Sequence, residues 1–301
     1  MIIIEFIYIE FLSQTLLSKI VKIGFTLIFI ILLIFYIEFD FINKLSLRTF
    51  GIICLISLIT SILYEVIRAL KMRIILKENM SKIDLIKINI ISYFYIITTP
   101  GGLGDVSRGI LWKKKSSENK SLKFYSLILI FERILTILIP SIISLYTFNL
   151  LFSVIDTFYI IPILIVFTFI VFFSVYFIAN FISKKMRYEI KYNKLDILKL
   201  FFIEITLLCL ISYQVYLVLM IFGIRINFHY ILASLSLSNI IAIIPISLGG
   251  FGIRELSFSY ILISILGQFN LIETTSILLF TIFFNQIVLA IIGMWLNLKS
   301  I

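Results

Sequence analysis

Six stretches of this chain, residues 20–38, 50–70, 123–148, 158–180, 200–222 and 275–297, stay apolar for the length of a membrane span. A hydrocarbon layer needs about 20 consecutive apolar residues per helix, and each stretch reaches that length. A chain of 301 residues that is 61% hydrophobic has too many such runs for a soluble core. The fold class is therefore all-α and integral to the membrane, since a helix satisfies its own backbone polar groups in lipid. No polar stretch between the runs exceeds about 20 residues, short of the roughly 50 that a soluble domain needs. The expectation is one membrane domain over residues 1–301, with residues 1–18 as an interfacial lead-in that lacks the features of a secretory signal.

The net charge of +10 raises the question of nucleic acid, but position decides how a basic chain is read. Segments 71–87, 113–123 and 183–199 hold five, five and six Lys or Arg, whereas 39–49, 149–157, 223–230 and 267–274 hold two, none, one and none. By the positive-inside rule the first group is cytoplasmic. No nucleic-acid partner is expected, and both termini of this inner-membrane protein fall on the cytoplasmic side. Lys113, Lys114 and Lys115 read as a solvated face that meets anionic lipid. Cys54 and Cys209 lie inside apolar runs and read as small apolar side chains rather than a disulfide. His229, the single histidine, has no partner cluster for a metal. No cofactor motif or catalytic constellation is present, and the chain is not expected to be an enzyme.

Two apolar segments are interrupted. In 88–112 the run INIISYFYIITT ends in PGGLGDVSR, and in 231–266 the interruption reads ISLGGFGIRE. The first has basic residues at both ends, so it enters and leaves on one face as a glycine-broken re-entrant hairpin. The second is either a hairpin from the opposite face or two full spans. Sliding the chain against itself by about 150 residues aligns YEVI (64–67) with YQVY (213–216), Gly101 and Gly102 with Gly249 and Gly250, and FERI (131–134) with FNQI (284–287). The expected architecture is six spans plus two hairpins in an inverted repeat, with halves at about 19–150 and 156–298.

These interruptions carry the candidate chemistry. A helix that restarts after glycines presents unpaired N–H groups and a partial positive charge to an anion. Restarts are expected near Gly104 and Gly252, with Asp105 at the first. Arg68, Arg108, Arg133 and Arg254 lie at membrane depth, where an arginine costs about 2.5–3.5 kcal/mol on insertion scales and needs an anion. Glu65 with Arg68, and Asp105 with Arg108, share a helix face at i,i+3. Arg68 also lies three residues from Lys71 and is expected to extend to the surface; Glu204 is near the same edge. Glu132 and Arg133 point about 100 degrees apart, so at least one reaches another helix, water or substrate. Arg108, Arg133 and Arg254 are the candidate phosphate ligands, since a guanidinium holds two oxygens at once. Glu132 and Glu255 are candidates to couple movement to protons.

The ordered set Arg68, PGGLGDVSR, FERIL and IPISLGGFGIRE resembles the membrane domain of lysylphosphatidylglycerol synthases over roughly residues 15–298. The resemblance implies a flippase-like membrane domain that binds a lipid with an anionic headgroup. It is to a stand-alone member without the soluble aminoacyl transferase, so lysyl transfer is not implied. The family often has an Asp where FERILTIL has Thr136. The function expected is a flippase or scramblase for a phosphate-bearing lipid, a phospholipid or a polyprenyl-linked glycan carrier. A headgroup transferase using Asp105 or Glu132 as base, and a non-transporting partner of a separate lipid-modifying enzyme, are the alternatives.

Overall fold

A computed structural model describes residues 46–98, 103–118, 120–152, 157–186, 192–242, 253–267 and 271–299. Among these there are nine α-helices and no strand: α1 (Leu47–Leu76), α2 (Lys82–Thr98), α3 (Leu103–Lys115), α4 (Leu122–Phe152), α5 (Thr157–Met186), α6 (Lys194–Ile221), α7 (Phe228–Ile241), α8 (Ile253–Leu266) and α9 (Leu271–Lys299). The expected span at 20–38 lies outside the described residues; the other five apolar runs fall on α1, α4, α5, α6 and α9.

Local chemistry sets the helix ends. At the start of α1 the Ser46 hydroxyl accepts from the Thr49 N–H at 3.1 Å, a cap for a donor that has no intrahelical partner. The chain leaves α1 through Lys77 in the left-handed region. At α6 a reciprocal capping box forms: Asn193 Oδ1 accepts from the Asp196 N–H at 2.7 Å, and Asp196 accepts from the Asn193 N–H at 3.2 Å. Asp196 also takes Lys77 Nζ at 2.7 Å, which ties the end of α1 to the start of α6. Lys120 and Tyr125 both reach Glu78, at 3.1 and 3.0 Å, and join the start of α4 to the loop after α1. The lysine-rich helix ends are thus gathered at one end of the bundle.

Three helices, over Leu47–Leu76, Leu122–Leu151 and Ile161–Phe181, are long and apolar enough to cross a membrane. The α5 span keeps Ile165, Phe169, Phe173 and Phe177 exposed, an apolar surface suited to lipid rather than water. The glycine-interrupted segments differ from these spans. Each is a pair of short helices packed on one another, α2 on α3 and α7 on α8, of 17, 13, 14 and 14 residues. At 1.5 Å per residue none but α2 exceeds about 21 Å.

Most major contacts have a counterpart. The two most extensive interfaces are α2 with α9 and α7 with α4; α2–α3 is answered by α7–α8, α1–α2 by α6–α7, α3–α4 by α8–α9 and α1–α9 by α6–α4. Helices α1 and α6 cross each other between the two sets. The apolar interior forms two clusters, one drawing on α1 to α5 and the start of α6, the other on α6 to α9 with Ile53 of α1. Polar residues collect where the sets meet.

Candidate functional site

Six charged side chains from α1, α3, α4 and α6 meet where the first set packs on α6. Glu132 of α4 is 2% exposed and receives three cations: Arg108 Nη1 of α3 at 2.9 Å, Arg68 Nε of α1 at 3.3 Å and Lys71 Nζ of α1 at 3.4 Å. Lys71 also holds Glu204 of α6 at 2.7 Å, and Arg68 lies 3.7 Å from Glu65. The network therefore contains three cations and three carboxylates and is neutral as a unit. That balance is what makes burial of six charges sustainable at membrane depth, where an uncompensated one is costly. The Arg108 guanidinium also lies 5.8 Å from the ring of the fully buried Trp112.

Several expectations change here. Arg68 does not extend to the surface; it is 9% exposed and turns inward because Glu132 on a neighbouring helix offers a closer oxygen than its own helix does. Arg108 pairs with Glu132, and the Asp105 side chain lies outside the described residues. Lys71, read from the sequence as one of a basic loop, is buried. Thr136 joins the network: its hydroxyl is 3.2 Å from Glu204, so a carboxylate from α6 stands beside the position where the related pattern often has Asp. Arg133 projects from the exposed side of α4, within electrostatic range of Arg68 and Arg254.

Between the two helix sets lies a cavity of about 120 Å³. Its wall includes Thr60 and Tyr64 of α1, Tyr93 of α2, Gln214 of α6, Arg254 of α8 and Gln286 of α9. Along α1, Thr60 lies eleven residues before Lys71, about 16 Å farther from the lysine-rich end. Along α6, Gln214 lies ten residues beyond Glu204. The charged network thus sits on the lysine-rich side of the cavity. Tyr64 and Tyr93 line the cavity and stand within electrostatic range of Glu65 and Arg68.

The helix restarts fall where the glycines predict, at Leu103 and Ile253. Gly104 and Asp105 are in the first turn of α3; Gly101, Gly102, Gly249, Gly250 and Gly252 lie outside the described residues. Arg254 reaches the cavity, with its Nε 3.6 Å from Glu255, which is fully buried. The structure therefore brings Arg68, Arg108 and Glu132 into one cluster and Arg254 and Glu255 into a second place. Sequence reasoning did not nominate Gln214, Asn285 and Gln286, all of which line the cavity. The signal was present: in the aligned halves they stand opposite Glu65, Glu132 and Arg133.

Residues 19–293 match the family described as Lysylphosphatidylglycerol synthase TM region. The chain belongs to this family. No curated protein and no solved structure matches it. Membership of the lysylphosphatidylglycerol synthase TM region family makes it a multi-pass membrane protein related to lipid modification or flipping, and the helices long enough to cross a membrane agree with that.

Proposed function

We propose that the protein is a flippase or scramblase that moves a phosphate-bearing lipid between leaflets of the inner membrane, with its lysine-rich end in the cytoplasm. The observation that carries this reading is a cavity with an arginine and several uncharged polar side chains on its wall, where two similar sets of helices meet. A headgroup held there by Arg254 keeps its phosphate out of hydrocarbon while the acyl chains remain in lipid. The paired contacts of α1–α4 and α6–α9, with the matched sequence motifs, support an inverted repeat with the substrate at its interface. The two short helix pairs support re-entrant hairpins, because irregular backbone at membrane depth is tolerated where it lines a cavity.

The neutral network then acts as the closure on the cytoplasmic side. A headgroup in the cavity passes that way only when the contacts of Glu132 with Arg108, Arg68 and Lys71 part. Arg108 is in this state a component of the closure, and Arg254, on the cavity wall, is the guanidinium proposed to meet the phosphate. A transferase reading needs Asp105 or Glu132 as base; Glu132 is held by three cations, and the Asp105 side chain lies outside the described residues. A separate lipid-modifying enzyme remains as a partner that supplies or receives the lipid. The test is reconstitution in vesicles carrying a trace of acyl-labelled anionic phospholipid, with translocation read by bleaching of the outer leaflet. The expected result is bleaching of label from both leaflets at a rate well above protein-free vesicles, falling at least tenfold in Arg254→Ala. A rate equal to protein-free vesicles for anionic phospholipids and polyprenyl phosphates alike overturns the proposal.

A further inference from the structure

We infer that the cavity is a pocket for a hydroxyl-bearing, phosphate-linked headgroup of the glycerol type, and that it selects against amine headgroups. This deepens the transport reading and rests on it for the ligand being part of a lipid.

Size is the first constraint. At about 30 Å³ per water, 120 Å³ holds about four waters, the scale of a glycerol. The second constraint is the state of the hydrogen-bonding groups on the wall. Thr60 and Thr281 donate their hydroxyl protons to their own helices, to Ile56 O at 2.8 Å and Ile277 O at 2.7 Å, which leaves their oxygens as acceptors. Gln214 uses one amide proton on the Ser57 hydroxyl at 3.3 Å and keeps the rest of its amide. Asn285 Oδ1 and Arg254 Nε are buried without a hydrogen bond. The wall thus offers acceptors and donors side by side. An alcohol both gives and takes a hydrogen bond, whereas an ammonium only gives.

Charge is the third constraint. Arg254 is the one charged residue among the described residues that line the cavity, and no carboxylate among them does so. Glu255 stands beside the guanidinium at 3.6 Å but is not on the wall. A phosphate meets Arg254 favourably, and in the low dielectric of the bilayer a bound amine is repelled by it with little screening. The repeat explains how this arose: where the first half places Glu65, Glu132 and Arg133, the second places Gln214, Asn285 and Gln286. Each change keeps a hydrogen-bonding side chain and removes its charge. The ion pairs gather on α1, α3, α4 and Glu204 of α6, and the cavity wall carries no charge but that of one arginine among the described residues.

The experiment is native mass spectrometry of the purified full chain with dioctanoyl lipids that differ only in headgroup. Phosphatidylglycerol is expected to bind at least tenfold more tightly than phosphatidylethanolamine or lysylphosphatidylglycerol. Asn285→Asp, which places a carboxylate on the wall at unchanged size, is expected to reduce that preference at least tenfold, and Gln286→Glu provides a second variant if the first fails to fold. Free glycerol phosphate is included as a competitor. Competition as strong as that of the lipid supports the pocket chemistry and assigns it to a soluble polyol phosphate; weak competition assigns it to a lipid. Equal binding of all three headgroups, a preference for the amines, or a preference that neither acidic variant alters overturns the inference. Failure to move any lipid in vesicles counts against transport and leaves this binding result standing on its own.

Discussion

Glu132 illustrates why a buried charge must be read with its partners. Three cations lie within 3.4 Å of its carboxylate, and they come from two helices other than its own. Glu132→Ala leaves those cations with two carboxylates, and Arg108→Ala leaves the converse imbalance. Each single substitution is expected to destabilise the protein by about 3–5 kcal/mol. The double variant restores neutrality, so its loss is expected to fall well short of the sum of the singles. Thermal unfolding of the three variants in detergent measures this, and simple additivity contradicts a shared network. Spacing within one helix made the Glu65–Arg68 proximity legible in the sequence, and the angle between Glu132 and Arg133 showed that one of them must look elsewhere. The identity of the distant partner was not legible, because it depends on how α1, α3, α4 and α6 cross. Lys71 was lost for the same reason: in a lysine-rich segment nothing local marks the one lysine that a carboxylate 133 positions away will bury.

At the scale of the helix, the interruption TTPGGLGDVSR and its counterpart LGGFGIRE predicted where helices stop and restart, and α3 and α8 begin at Leu103 and Ile253. The physics is local there, since glycine breaks and restarts a helix without help from tertiary contacts. Packing is less local. Gly293 sits where α9 lies directly on α2, and a Cβ added there would run into the Ile90 carbonyl. Gly293→Ala is expected to cost about 1–3 kcal/mol by forcing the two helices apart. Gly51, inside α1, has nothing within 4 Å of an added Cβ, and Gly51→Ala is expected to be neutral or to stabilise by up to about 1 kcal/mol through helix propensity. Unfolding midpoints of the pair check this, and equal effects would contradict the close approach of α2 and α9.

For the whole molecule, the places of five apolar runs were legible because runs of fixed length leave a chain little choice but helix; the run at 20–38 lies outside the described residues, and three of the described helices are long and apolar enough to cross a membrane. The cavity was not legible, since its wall draws residues from six helices far apart in the sequence. On the orientation proposed above, single cysteines at Lys115 and Lys194 are expected to react with an impermeant maleimide only from the cytoplasmic side, and one at Arg225 only from outside, in a background with Cys54 and Cys209 replaced by Ser. Labelling of Arg225→Cys and Lys194→Cys from the same side would contradict α6 as a span. The central claim is that lipid passes through the cavity between the two helix sets. Gln286→Phe, which fills that cavity with a side chain, tests it most directly in the vesicle translocation assay, with thermal unfolding in parallel. The account predicts an unfolding midpoint at or near that of the parent protein and a translocation rate reduced at least tenfold. A folded Gln286→Phe protein that moves lipid at the parent rate would contradict it.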